Sequence, residues 1–454
     1  MVKVENKVQR YESYKDSGVE WLGEIPKHWS AKKLKFIGNI YAGISGKKGD
    51  DFSKEYSKGI QSFIPFTNIC NNIIIDENQY QFVKIDEKEN QNRVLKNDIL
   101  FLMSSETLDD IAKCSIYLGN DKELYLNSFC KGFRITKTKI YPEYINYLLS
   151  SKVYRNYFAL VGRGFTRINL KQDFINNATV TLPPLQEQTA IAQFLDDKTT
   201  KIDAAIDIKK QQIHLLKERK QVLIHKAVTR GLDDGVTLKD SGVEWIGEIP
   251  EGWEVKKLKY VLKTQGRIGF KGYTTSDLVD KDKGALTLGA SHLDWKGNII
   301  LKKPVYISWK KYYESPEIMV SKGDVIIVQR GSTCGKVALV DKDYGPTTIN
   351  PSLVLLKEII GHPQYMFLGI KVVLNGILNL VSKTAIPMLS QFQIDNIEIP
   401  FPNKKEQKEI SAYIETASQK IETAIGLKQQ EIKKLKEYKS SLINGVVTGK
   451  VRVC

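Results

Sequence analysis

Glycines, a lysine and a hydroxyl side chain in close sequence can cradle a phosphate, and residues 331–336 read GSTCGK. A phosphate loop needs four residues between its glycines and a Ser or Thr after the lysine to hold magnesium. Here three residues separate Gly331 from Gly335, and Val337 follows Lys336, so that chemistry is excluded. Glu218-Arg219-Lys220 imitates the end of a nuclease motif, but it lies in a long charged helical stretch with no upstream carboxylate placed to share a metal. Methyl transfer to an amino nitrogen would call for Asn-Pro-Pro-aromatic, and Asn350-Pro351 runs into Ser352. The histidines (His28, His214, His225, His292, His362) show no metal-ligand spacing, and the cysteines (Cys70, Cys114, Cys130, Cys334, Cys454) form no CxxC pair. Asp50-Asp51 and Asp109-Asp110 read as loop acids. The expectation is a chain without a catalytic residue, a metal site or a bound cofactor of its own.

The remaining chemistry is charge. Lys and Arg number 68 against 52 Asp and Glu, a net charge of +16. Such a surplus points to a polyanionic partner, most often nucleic acid. Arg pairs in two-pronged fashion with guanine and Asn or Gln with adenine, while Arg and Lys also hold phosphates. On these grounds the candidate DNA-binding residues are Lys47, Lys48, Arg163, Arg167 and Asn169, and, later in the chain, Arg267, Lys271, Gln329, Arg330, Lys336 and Lys383. No apolar run approaches the ~20 residues that span a bilayer. The start, MVKVENKVQRYESYKDSG, has no apolar signal core, and the expected location is a reducing cytoplasm.

The elements that must position these residues announce themselves through repetition. KDSGVEWLGEIPKHW (15–29) returns as KDSGVEWIGEIPEGW (239–253), identical at twelve of fifteen positions. Further along, LQEQTAIAQFLDDKTTKID (185–203) matches NKKEQKEISAYIETASQKIE (403–422), and LKERKQVLIHKAVTRG (216–231) matches LKEYKSSLINGVVTGK (435–450), both at an offset of 219. Each half therefore consists of a short motif, a variable body, a Pro-rich hinge and a long helical segment. The expected divisions are an N-terminal segment with the first motif (1–29), a first recognition body (30–182), a central long helix (183–231), a linker with the second motif (232–253), a second body (254–399) and a C-terminal long helix (400–450). The bodies hardly resemble each other in sequence. A shared frame around unlike contents suggests two modules doing one kind of job on different targets.

Ile191, Leu195, Ile202, Ala205, Ile213, Leu216, Leu223 and Ala227 recur at spacings of three and four, as do Ile410, Ile414, Ile421, Ala424, Ile432, Leu435, Leu442 and Val446. That is one apolar stripe per helix. A helix of this length, ~60 Å at ~1.5 Å per residue, is stable only with its stripe covered, and the other copy is the natural cover. The first helix starts acidic (Asp196, Asp197, Asp203, Asp207) and ends basic (Lys217, Arg219, Lys220), and the second also ends basic. Antiparallel pairing sets acidic start against basic end. The bodies mix short β-like runs with loops, as in GDVIIVQRGSTCGKVALVDKD (323–343) and NDILFLMSSETLDDIAKCSIYLGND (97–121), and each carries a late polar loop, GRGFTRINL (162–170) and VSKTAIPMLS (381–390). The expected fold class is α+β: two globular α+β domains joined by two long helices in an antiparallel coiled coil, with a pseudo-twofold internal repeat.

SGVEWLGEIPKHW with SGVEWIGEIPEGW, the hinge LPPLQEQTAIAQFLD and the tail LKERKQVLIHKAVTRGL are the residues by which the chain resembles the specificity subunit of a type I restriction–modification system. VSKGDVIIVQRGSTCGKVALV is similar to that family's recognition-domain strand pair. Two departures stand out: the second hinge, IPFPNKKEQKEISAYIE, lacks the PPL core, and the first body lacks a GSTCGK-like turn. The resemblance implies a subunit that reads a bipartite target in double-stranded DNA, one body per half-site, with the helices setting the gap. It also implies two methyltransferase (modification) subunits and, in the full complex, restriction subunits, with S-adenosylmethionine, ATP and magnesium bound by those partners. The residues alone leave two other classes open: a stand-alone nuclease, and a coiled-coil protein–protein scaffold without DNA specificity.

Overall fold

The computed structural model describes residues 9–86, 88–164, 166–267, 272–380 and 388–453, the side chains of 375–380 excepted. The long helices run Leu185–Arg230 and Lys404–Val447. The first starts directly after Pro183-Pro184, where missing backbone donors do no harm. The second is capped by Asn403, whose side-chain oxygen accepts from the Lys405 and Glu406 amides at 3.0 Å each. Both end near a glycine in the left-handed region, Gly231 (φ +76°) and Gly449 (φ +72°), a conformation that closes a helix and that a side chain would strain.

The chain divides into two compact units, Met1–Lys210 with Gln429–Cys454, and Gln211–Lys428. In the first, the strands Cys114–Ile116, Ile99–Leu102, Cys130–Ile135 and Gly38–Ala42 form an antiparallel sheet in that order. A second sheet has the order Leu124–Leu126, Gln61–Ile64, Gln81–Val83, Phe52–Ser53, its first pair parallel. The helices Pro142–Ser150 and Lys152–Val161 supply Tyr144, Leu148, Tyr154 and Phe158 to the core that holds Ile99 and Phe101. Ile191 and Leu195 of one long helix and Ile443, Val446 and Val447 of the other complete that core.

The second unit repeats this plan with different residues. Val337–Leu339, Val325–Val328, Leu353–Lys357 and Lys263–Gly266 form one sheet; Thr347–Ile349, Gly284–Leu288, Val305–Ser308 and Leu278–Val279 form the other, again with a parallel first pair. Ala227, Val228, Ile410 and Ile414 of the long helices enter its core. The strand order is the same in both units, so two bodies unlike in sequence share one α+β topology.

Within each unit the long-helix segments pair antiparallel. In the first, Lys439 donates to Asp203 at 2.6 Å and Lys209 meets Glu431 at 2.7 Å; in the second, Lys220 meets Glu422 at 3.0 Å. The expected stripe is buried at Ile191, Leu195, Ile202, Ile410, Ile414 and Ile421, with Ile206 buried where Ala205 is only half-covered. Among the described residues no helix is long and apolar enough to cross a membrane.

Candidate nucleic-acid interface

The repeated motif positions the bodies on the frame. In the first unit Trp29, fully buried, donates from its indole nitrogen to Glu187 at the start of one long helix, at 2.9 Å. Tyr11 donates to the same carboxylate at 2.6 Å, and His28 lies 2.8 Å from it. A Cβ on Gly449, at the end of the other long helix, would run into the Pro26 ring, which shows how closely that helix end sits on the motif. The second unit repeats the junction: Trp253 donates to Glu406 at 3.4 Å, and a Cβ on Gly231 would meet the Trp253 ring at 3.2 Å. Tyr144 and Tyr365, both buried, make matching ties. Tyr144 donates to the Thr181 carbonyl at 3.0 Å, and Tyr365 to those of Pro400 (2.9 Å) and Val228 (3.2 Å). The motif residues thus hold helix ends in place.

In each body two loops far apart in sequence meet just beyond the end of an interior strand, Ile99–Leu102 in the first and Val325–Val328 in the second. In the first, Ile168–Asn169 pairs with Ser104–Ser105, and the Leu170 amide donates to the Met103 carbonyl at 2.9 Å. The loop between is clasped at its base, Arg163 and Asn169 exchanging backbone bonds of 3.2 and 2.8 Å. In the second, Arg330 pairs with Met388, and the Leu389 amide donates to the Gln329 carbonyl at 2.9 Å. Paired polar loops held at the end of a rigid sheet are a usual place for binding residues.

The sequence-derived candidates separate by placement. Arg163, Arg167 and Asn169 come together in the clasped loop, all exposed. The Arg163 guanidinium donates to the carbonyls of Leu160 (2.7 Å) and Gly162 (2.9 Å), closing the preceding helix. Arg167 lies over the ring of Phe129, 4.6 Å from its centre. Lys47 and Lys48 lie beside the second sheet, the Lys48 amide donating to Asp51 just before the strand Phe52–Ser53. Lys47 is half-buried and ion-paired to Glu89, whose carboxyl that bond pulls down to about 2, while Lys48 is exposed.

In the second body Arg330 is exposed beside the paired loop. Lys336 donates to the Leu293 carbonyl at 2.8 Å and lies 5.7 Å from the centre of the Trp295 ring. Gln329 is buried, its amide donating to the Pro351 carbonyl at 3.1 Å. Arg267 is also buried, bonded to the Ile349 carbonyl and the Thr348 hydroxyl at 3.3 Å each, with its proton affinity lowered by burial. Lys271 and Lys383 lie outside the described residues. Sequence reasoning missed Phe129 and Trp295, which are 43% and 54% exposed beside candidate cations. The available signal was an aromatic residue inside a turn, as in HLDWKGN.

The profile of the family described as "Type I restriction modification DNA specificity domain" matches residues 26–218 and 250–436. The type I restriction enzyme MjaVIII specificity subunit of Methanocaldococcus jannaschii is 28% identical over 437 residues, 94% of this chain and 94% of that one. The type I restriction enzyme MjaIX specificity subunit of the same organism is 22% identical over 440 residues, 95% of each chain. The crystal structure of the HsdS subunit from Thermoanaerobacter tengcongensis shares the fold at TM-score 0.53 and 14% identity, over 94% of this chain and 98% of that one. A chain solved in a study of assembly and conformational transition of the type I R-M system shares it at TM-score 0.70 and 14% identity, over 93% and 98%.

Proposed function

This chain belongs to the type I restriction–modification DNA specificity family, and we propose that it reads a bipartite duplex target for enzymes that carry the chemistry. One observation carries the reading: two bodies of the same topology and unlike sequence stand in a duplicated frame, each bearing a paired polar loop at the end of an interior strand. Unlike side chains on a common scaffold suit two different half-sites. Arg163, Arg167 and Asn169 would contact the first half-site, and Arg330 and Lys336 the second, with Phe129 and Trp295 as apolar neighbours against base edges or sugars. Methyl transfer from S-adenosylmethionine belongs, in this reading, to two methyltransferase subunits, and ATP- and magnesium-dependent cleavage to restriction subunits. The chain itself is a non-catalytic, cytoplasmic component.

The test is a body exchange. Replacing residues 254–399 with the matching body of a relative, inside the assembled methyltransferase, should change one half of the methylated target and leave the other half intact, as read by genome-wide methylation mapping. A change in both halves would refute independent reading. The purified chain alone should neither methylate nor cut DNA. Its duplex binding should weaken steeply with salt, roughly 0.9 log units per log unit of salt for each phosphate neutralised. Flat salt dependence would return the chain to the scaffold class.

A further inference from the structure

Exposed residues of a duplicated domain are free to drift, and the bodies have drifted almost completely. One exposed surface within the bodies has not. KKLKF (32–36) returns as KKLKY (256–260), each ending in a short 3₁₀ turn, Leu34–Phe36 and Leu258–Tyr260. Leu34 and Leu258 are fully buried, and the core explains their retention. Phe36 and Tyr260 are 61% and 67% exposed, and no packing explains theirs. The neighbouring lysine leans over the ring in both, Lys35 at 5.5 Å from the centre and Lys259 at 5.4 Å.

In the first unit the ring borders a groove of about 500 Å³, lined among others by Ser17, Gly18, Val19, Lys33 and Thr179. The Ser-Gly-Val turn of this groove is reproduced in the second unit. Ser17 and Ser241 donate to the carbonyls of Val19 and Val243 at 3.1 and 3.2 Å, and the amides of Gly18 and Gly242 donate to Asp16 and Asp240 at 2.9 Å each. A single exposed aromatic residue is ordinary. The same ring and lysine, beside the same turn, in two bodies whose other surfaces diverged are not.

We propose that Phe36 and Tyr260 are twin anchor rings for a protein subunit that docks once on each half, its facing surface an apolar pocket with an acidic rim for Lys35 and Lys259. Resting on the functional reading above, that subunit is the methyltransferase. The DNA backbone is the other thing common to both half-sites, but it asks for the same positive charge twice. Among the described residues Lys32, Lys33 and Lys35 lie within ion-pair reach of no acid, whereas Lys256 pairs with Glu254 at 3.0 Å and Lys257 with Glu398 at 3.9 Å. Of the three lysine positions, only Lys35 and Lys259 lack an ion-paired acid in both halves among the described residues, and each leans over its ring, so the ring with that one lysine is the shared contact. Buried aromatic anchors dominate protein interfaces.

The test uses the full-length chain and the purified methyltransferase subunit of its own host. Phe36→Ala and Tyr260→Ala should each weaken one of the two docking events at least ten-fold, leaving one tightly bound copy by native mass spectrometry and sedimentation. The double variant should lose both. Unchanged thermal unfolding, and retained docking in Phe36→Tyr with Tyr260→Phe, would confirm that ring loss and not misfolding is responsible. Two copies bound at undiminished affinity by the double variant would overturn the proposal. So would intact docking with reduced affinity of the chain for duplex DNA, which would make the rings DNA contacts. Sequence-specific methylation by the unaltered complex is read in the same preparations, so failure of the functional reading and failure of the docking surface appear separately.

Discussion

Arg267 and Arg330 carry the same side chain and stand in opposite circumstances. The guanidinium of Arg267 is buried against the carbonyl of Ile349 and the hydroxyl of Thr348, with the ring of Tyr273 centred 5.3 Å away. Arg330 is exposed where the two loops of its body meet. Arg330→Ala is therefore expected to weaken target binding by about 1–3 kcal/mol, as losing a base reader does, with the unfolding midpoint unmoved. Arg267→Ala should act the other way round. It removes hydrogen bonds of a buried charged group, each worth about 1.5–3 kcal/mol, so chemical unfolding should shift to lower denaturant. Binding titrations and unfolding curves on both variants check the pair; equal loss of affinity at unchanged stability would return Arg267 to the surface. Residue type made both legible as candidates, but nothing in a one-dimensional string tells a solvated guanidinium from a buried one. Arg163, Arg167 and Asn169 were easier because they are neighbours in sequence. Their partners Ser104 and Ser105 were invisible because the pairing joins segments some sixty residues apart.

At the scale of elements, the long helices were the most legible part of the molecule. Their apolar spacing, proline starts and glycine ends are local signals, and Leu185–Arg230 and Lys404–Val447 fall within the expected spans. The charge asymmetry gave their direction, Lys439 with Asp203 is a contact of the kind it required, and Lys220 with Glu422 adds one from the balanced early half of the second helix. The sheets were legible only as strands, because their order depends on long-range pairing and on a parallel crossover that no local pattern encodes. Nor was the setting of Lys371 readable. It sits in the helix Pro363–Leu380, its ammonium donating to the Lys296 carbonyl at 2.7 Å. Burial first, then the nearby charge of Lys220, partly offset by Asp294, push its pKa from 10.5 down to about 8. Between about 8 and 10.5 the unfolded chain holds this proton and the native chain does not, so stability rises with pH across that window. Below it the cost of the buried charge is present in full. Lys371→Met should accordingly raise the unfolding midpoint at pH 7, and the gain over the unaltered chain should shrink by pH 10. Paired unfolding curves at the two pH values measure it; a gain independent of pH would mean that packing, not charge, is what changed.

At the scale of the whole molecule, the duplication implies that one half contains the instructions for a closed dimer. The inter-helix contacts Asp203–Lys439 and Lys220–Glu422 are related by the internal repeat, because Lys439 corresponds to Lys220 and Glu422 to Asp203 at the offset of 219. Two copies of a chain ending near Leu232 would therefore meet through Asp203 of one and Lys220 of the other, twice, in the register the full chain already uses. The core of the first unit would be completed in the same way. Ile443, Val446 and Val447, which enter it from the C-terminal helix, correspond to Ile224, Ala227 and Val228. The only change of size is Val446 to Ala227, and Ala227 and Val228 already fill the equivalent places in the second core. A self-complementary surface of this kind closes with two-fold symmetry, and a two-fold dimer of one reader demands an inverted repeat in its DNA. Residues 1–232 are thus expected to sediment as a dimer and, with the methyltransferase subunit, to modify an inverted repeat of the first half-site. Asp203→Lys in this half-chain should disperse the dimer by placing like charges opposite each other twice, and Lys220→Asp added to it should bring the dimer back with the charges exchanged. A folded monomer at micromolar concentration, or a dimer that modifies only the original asymmetric target, would show that the two halves are not interchangeable and that the repeat preserves the frame without preserving its symmetry.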